Sequence, residues 1–438
     1  MPMDRRTLVK VMAGATATGA LAGCVSTEDP GEGDDGDDGN GGDDTGSDYE
    51  EDEDWPTVEP DDDVTGEAEL WYELSEGEQA ALEGHIEDFN DHYEATITGN
   101  EQGDIQDQTT ASIPAGDGAE MFMWAHDWIG DYHQNGFLSD QSNRLSIDPD
   151  EYFGDNADSA RFDGETLGLP FAAETVGLIY NKEYVDEAPE TFDEVLEIAE
   201  EHHNPEESTY GFSWPMDAYH ISGMPYGFGG YYYDDESGEL GLTNDETIAG
   251  LEYIQDNLWE YMAQDPDGEV QQSVFLEGNS PFIISGPWLL GDLDEDNFEW
   301  GVAPWPEADG NEPSPFTGVQ LFYFTSEMDE DDERADAAVA FAEWYTTNTA
   351  IISQNAEEHG FIPVHAAFAD DGEEEGELTD DLQGFSAAVD QGQPMATDPD
   401  FGDVWEPLEE EWWAALEGGQ SVEEAMETAE SRIRDAWE

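Results

Sequence analysis

A chain with 112 Asp and Glu residues against nine Lys and Arg carries a formal net charge of −103, which sharply limits how it can fold. Like charges at this density repel one another, and high net charge with low hydrophobicity is the composition of a disordered chain. Disorder does not fit most of this sequence. Its residues are 37% hydrophobic and include 14 Trp, 17 Tyr and 20 Phe, enough for a large core. The composition fits a folded protein in molar salt, where a Debye length of about 3 Å screens repulsion between carboxylates. In dilute buffer the same charge destabilises the compact state. Acidic residues in every segment, with Lys almost absent, indicate an extreme halophile. No nucleic-acid partner is expected, because such binding rests on cations neutralising phosphates.

The first 24 residues read as an export signal, with a charged start, an apolar middle and a small-residue end. These are Arg5, Arg6 and Lys10, then Val11 to Ala22, then Gly23-Cys24. The apolar run is shorter than the roughly 20 residues needed to cross a bilayer. Leu21-Ala22-Gly23-Cys24 resembles a bacterial and archaeal lipobox, which implies that Cys24 becomes the first mature residue and carries a lipid. Arg5-Arg6 followed by Thr7-Leu8-Val9-Lys10 resembles a twin-arginine signal, which exports folded proteins. Cys24 is the single cysteine, so its lipidation leaves no thiol for a disulfide or a Cys-based metal site. The expected location is the extracellular face of the cytoplasmic membrane, held by a lipid anchor. Residues 25–65 follow as an acidic, Gly/Asp-rich flexible tether. No stretch there has the spacing of a calcium loop.

From Gly66 onward strand and helix patterns alternate. Glu67–Leu74 places Ala68, Leu70, Tyr72 and Leu74 on one face of a strand. Ala81, Leu82, Ile86 and Phe89 follow at helical spacing. Ala119–Trp124, Val176–Tyr180 and Pro281–Ser285 are short apolar runs suited to buried strands. Thr191-Phe192-Asp193-Glu194 is a capping box opening a helix to about His203, Arg334–Tyr345 is helical, and Ser421-Val422-Glu423-Glu424 caps a last helix. This alternation predicts α/β layers with largely parallel sheets. More than 370 such residues imply more than one domain.

The sequence contains no GxGxxG, P-loop, H-E-x-x-H or G-x-S-x-G pattern. His202-His203 lies on an acidic helix and is expected to face solvent. Paired carboxylates could serve glycoside hydrolysis, but with 112 acids such pairs carry no information. No catalytic residue, metal site or cofactor is expected. The aromatics are more informative. Trp124, Tyr219, Trp288 and Trp405 sit beside loop residues, where aromatic faces could stack on sugar rings while carboxylates accept from hydroxyls. Taken singly, each reads more readily as a core residue than as a sugar contact.

Their order brings out a family resemblance. Ala119-Glu120-Met121-Phe122-Met123-Trp124-Ala125-His126-Asp127, with Gly130-Asp131-Tyr132 and Gly136-Phe137-Leu138, resembles a signature of maltose/maltodextrin-binding proteins. Leu169–Glu174 followed by Gly177–Lys182 resembles their first hinge crossing. Gly229-Gly230-Tyr231, Ser285-Gly286-Pro287-Trp288, Pro315–Val319 and Gly419–Ala425 follow in the family's order. The resemblance implies a two-lobed, periplasmic-binding-protein-like α/β fold, each lobe a sheet flanked by helices, with a ligand cleft at the hinge. One lobe would comprise 66–173 and 319–366, the other 174–318 and 367–438. It implies an oligosaccharide-binding, non-enzymatic, monomeric protein that serves the permease subunits of an ABC importer. Ligand-binding residues carried over are Trp124, Asp127, Glu174, Asp217, Tyr219, Trp288 and Trp405. Glu76, an eighth ligand-binding candidate, stands with Gly77 where the family has an Asp-Lys pair after the first strand. Trp128, Glu406 and Glu409 replace an arginine, a tyrosine and a further arginine, which weakens the implication for maltose itself. A surface glycoside hydrolase, a non-sugar receptor and a passive surface adhesin are the alternatives.

Overall fold

Ala68, Leu70 and Tyr72, each at most 1% exposed, lie along one strand, β1 (Gly66–Tyr72). The structure is a computed structural model and describes residues 55–61, 63–235, 237–294, 297–368 and 379–437, without the side chain of Glu76. The signal with Cys24 and the tether residues 25–54 lie outside the described residues. β1 leads through Ser75 into α1 (Glu76–His92). The Ser75 hydroxyl accepts the Glu78 N–H, and the Glu78 carboxylate accepts the Ser75 N–H at 3.0 Å, a complete capping box.

Two sheets organise the protein. The first runs β9-β8-β3-β1-β2, where β2 is Ala95–Glu101, β3 Met121–Ala125, β8 Phe316–Phe324 and β9 Gln393–Pro394; β4 (Gly168–Thr175) also pairs with β8. The second holds β5 (Gly177–Asn181) between β6 (Phe282–Ser285) and β7 (Trp300–Ala303). The expectation of largely parallel sheets is met only in part. β1 is parallel to β2 and β3, but β8 is antiparallel to β3 and β4, and the second sheet is antiparallel throughout. The reason is connectivity: β8 carries the chain back from the second sheet to the first, so it opposes the strands already there.

Two large apolar cores result, one per lobe. Leu70, Phe122, Phe322 and Phe341 lie in the first; Phe212, Trp214, Phe282 and Trp412 lie in the second. A smaller cluster joins Ile179, Phe275 and Ile283 to Ala356 and Ile362. On the first core lies α3 (Asp332–Thr347), followed by α4 (Thr349–His359), and on the second lie α5 (Trp405–Leu416) and α6 (Val422–Ala436), the last opened by the Ser421 capping box. Helix α2 (Phe192–His202) begins as predicted, except that the Glu194 carboxylate accepts the Glu190 N–H rather than that of Thr191.

Two further expectations need correction. His202 and His203 are half-buried rather than solvent-facing. His202 meets Tyr184 edge-on at 4.7 Å, and His203 Nδ1 lies 3.0 Å from the Tyr261 carbonyl oxygen. The end of the expected tether is also packed. Trp55 stands edge-on to Tyr152 and His365, the Val58 N–H donates to Thr347 Oγ1, and Val58 and Val64 rest on the first core. These isolated apolar residues form no periodic pattern, so only their pockets in the lobe reveal them. Among the described residues no helix is long and apolar enough to cross a membrane.

Candidate ligand-binding cleft

The cleft is assembled from the ends of strands and helices and the turns beside them. Strand β3 is buried up to Met123 and then gives Trp124, half-buried, before the chain turns through His126, Asp127 and Trp128. The His126 ring holds this turn by accepting the Val319 N–H of β8 at 3.1 Å. Trp124 stacks on Trp128 at 4.6 Å, and Trp128 stacks on Tyr132 at 5.2 Å, so one indole face is braced from behind by two more rings. Glu174 comes from the end of β4 and pairs across to Gly318 of β8. A Cβ at Gly318 would lie 2.4 Å from Glu174 Oε1, so the carboxylate's position requires glycine opposite it. Gln320 Nε2, two residues further along β8, donates to Glu174 Oε2.

On the other side, Asp217 organises a turn. Its Oδ1 accepts the His220 N–H at 2.9 Å, and its Oδ2 lies 2.7 Å from His220 Nδ1. Tyr219 and His220 then pack against Trp288. Gly286 makes that possible, because a Cβ there would fall about 2.1 Å from the Trp288 ring. Trp405, the first residue of α5, is half-buried and stands edge-on to Phe401 at 4.8 Å and to Phe316 at 5.8 Å.

Trp124, Asp127, Glu174, Asp217, Tyr219, Trp288 and Trp405, all seven described candidates, line one cavity of about 980 Å³. That size lies at the upper end of small-molecule sites, roughly 300–1,000 Å³. The Glu76 side chain lies outside the described residues, and its helical neighbour Glu78 lines the wall instead. Sequence reasoning had passed over Glu78, His220 and Gln320 as site residues. Gln320 and Glu174 are 146 positions apart, and no local signal joins them. His220 could have been noticed, since Asp and His three apart in a turn commonly meet.

The wall is acidic, and burial sets its chemistry. Asp127, 8% exposed, has its pKa pushed up to about 8, first by burial and then by the Glu174 charge; hydrogen bonds from its own amide and the Trp405 indole offset this in part. Burial pushes Glu174 up to about 7 against the Gln320 hydrogen bond, with Glu78 adding repulsion. Glu409 is pushed up to about 7 by burial and then by Asp217. Burial would raise Asp217 as well, but the His220 ring holds it below the usual carboxylate range. Asp217 is thereby occupied in fixing His220. Three buried polar atoms of cavity-lining residues have no protein partner: Asp127 Oδ1, the Tyr219 hydroxyl and His220 Nε2. Buried polar groups are normally paired, so these atoms stand out on the wall.

Two separately cored lobes around a cleft of aromatic faces and unpartnered acceptors define a protein built to enclose a small polar molecule. Residues 85–383 match the family described as bacterial extracellular solute-binding protein, and the chain belongs to that family. It is 37% identical over 347 residues to the maltotriose-binding protein of Pyrococcus abyssi (strain GE5 / Orsay), covering 78% of this chain and 75% of the relative. It is 29% identical over 345 residues to a maltodextrin-binding protein of Bacillus subtilis (strain 168), covering 74% and 78%. Among solved structures it resembles a Thermus thermophilus maltotriose-binding protein bound with maltotriose. The TM-score is 0.75 at 26% identity, over 85% of this chain and all of that one.

Proposed function

We propose that this protein captures an oligosaccharide of the maltodextrin kind outside the cell and delivers it to an ABC importer. The observation that carries this reading is that Asp127 and Tyr219, with polar atoms lacking protein partners, line one cavity together with the indole rings of Trp124, Trp288 and Trp405. Sugar rings present apolar faces to aromatics and hydroxyls at their rims, so both features are used by one ligand. In this reading Trp405 and Tyr219 stack on the sugar, Asp127 accepts its hydroxyls, Glu174 and Trp288 complete the contacts, and Asp217 positions His220.

The protein acts as a receptor and not as a hydrolase. It is a monomer, linked through a twin-arginine-exported, lipidated Cys24 and an acidic tether to the membrane where the permease sits. The lobes comprise 66–173 with 319–366 and 174–318 with 367–438, and they close on the sugar. The fold works in molar salt. Calorimetric titration with maltotriose and longer maltodextrins in molar salt tests the reading. Saturable binding without new reducing ends supports it, absence of binding removes the sugar assignment, and new reducing ends would make the protein an enzyme.

A further inference from the structure

Three rings at the end of β3 share one stack. Trp124 is the next-to-last residue of β3, and Trp128 and Tyr132 follow at intervals of four, the latter on the short helix Ile129–Gln134. Residues four apart lie on one face of a helix, which brings the two later rings into line. Trp124 and Trp128 are 4.6 Å apart with their planes at 23°, and Trp128 and Tyr132 are 5.2 Å apart at 16°. Both spacings fall within the range of favourable aromatic pairs, about 4.5–7 Å. The far end of the stack is fixed, because the Tyr132 hydroxyl lies 2.7 Å from Thr109 Oγ1, which itself donates to the Ile105 carbonyl at 2.7 Å. Its flank is fixed as well. Phe122, on the same face of β3 as Trp124, meets both Trp128 and Tyr132 and stacks on Tyr323 of β8 at 4.6 Å. Burial deepens along the stack: Trp124 is half-buried and lines the cavity, Trp128 is 7% exposed, and Tyr132 is 1% exposed.

We propose that Trp128 is a positioning residue, which holds the Trp124 indole in the ligand-free protein as a preformed platform for one sugar ring. The inference rests on the sugar-binding reading above and adds a residue that acts through Trp124. A side chain of this kind turns about two bonds, and a ligand that has to fix such a ring loses affinity. Here Trp128 already covers one face of the Trp124 ring. The ring cannot swing toward that side, turning it breaks the stack, and the face left over meets the cavity. Supporting residues that lock the rotamer of a contact residue in this way keep a binding geometry in place before the ligand arrives. The other two indoles assigned to the ligand are held differently. Among the described residues Trp405 meets Phe401 and Phe316 edge-on, and Trp288 meets His220 edge-on and Tyr219 at a tilt. The stacked support therefore belongs to Trp124, and its removal has a signature of its own.

Calorimetry with maltotriose in molar salt compares wild type with Trp128→Leu, Trp128→Phe, Trp124→Ala and the double variant Trp124→Ala/Trp128→Leu. Trp128→Leu should weaken binding about tenfold, the scale of one side chain that the ligand must fix. Trp128→Phe keeps a flat ring and should stay within about threefold of wild type. In the Trp124→Ala background Trp128→Leu should cost nothing further, because its effect passes through Trp124. Circular dichroism of the ligand-free protein gives a second readout. Stacked indoles couple their electronic transitions into an exciton couplet, and Trp124→Ala and Trp128→Leu should remove the same one. Trp214 and Trp305, 5.1 Å apart, contribute to every spectrum alike. Maltotriose should leave the wild-type couplet unchanged. Additive losses in the double variant would make Trp128 a ligand contact and overturn the positioning role. Full affinity in Trp128→Leu, or equal losses in the Leu and Phe variants, would overturn it too. So would a couplet that appears only with maltotriose, a comparison made on wild type that stands even where Trp128→Leu fails to fold. Failure of maltotriose and longer maltodextrins alike to bind wild type would remove the sugar reading, and the platform's ligand with it.

Discussion

Replacing Asp127 with Asn should flatten the pH dependence of the ligand-free protein's stability. The carboxyl is 8% exposed, and burial, followed by the Glu174 charge, pushes its pKa up to about 8. In the unfolded chain an aspartate titrates near 3.9. Between those values the folded protein holds a proton that the unfolded chain has released. The contribution is therefore most favourable below the unfolded value and is lost as pH rises toward the folded one. One proton gives a slope of about 1.4 kcal/mol per pH unit, so Asp127 alone should remove about 3 kcal/mol between pH 5 and pH 7. Asn carries no such proton. The other raised carboxyls, including Glu120, Glu343 and Glu409, are common to both proteins, so the difference between wild type and variant isolates Asp127. Urea unfolding followed by Trp fluorescence, at constant molar salt, measures it at both pH values. Parallel pH dependences in the two proteins would refute the reasoning. So would a variant less stable at pH 7, since Asp127 would then be ionised and favourably paired in the fold.

Trp405→Ala should weaken maltotriose binding at least tenfold with a stability loss of about 1–2 kcal/mol, because the ring is only half-buried. Trp412→Ala, which deletes a fully buried ring, should cost about 3–5 kcal/mol; equal stability losses in unfolding titrations would return Trp405 to the core. Gly286→Ala should weaken sugar binding without touching the ligand, because the added methyl displaces the Trp288 ring, and unchanged calorimetric affinity would count against that support. Dilution from molar salt to low salt should unfold the protein, with Trp emission as the readout; an unchanged melting temperature would show that the −103 charge does not limit stability. Cys24→Ser should release protein from membranes or leave the precursor uncleaved, as followed by fractionation and mass, and a membrane-bound variant of mature mass would exclude lipidation there.

What the sequence determined by itself was local or ordered along the chain. The β1 alternation, the Ser421 capping box and the segment Trp124–Asp127 are each encoded within a few residues, where side-chain period and cap chemistry act directly. The seven described candidates that the order of such segments pointed to line one cavity. Pairing across distance was not legible. Nothing near Gln320 points to Glu174, nothing near Trp55 points to Tyr152 and His365, and the direction of β8 in the first sheet follows from how the chain returns. The sharpest limit lies in the acidic residues. With 112 of them, composition cannot separate the few that face a cavity from those that meet solvent. Glu410 and Glu411 bond Arg432, while Glu409 beside them turns inward. Only the packing of α5 between α6 and the cleft decides that difference, because removing a carboxylate from water is a property of its surroundings and not of its place in the sequence.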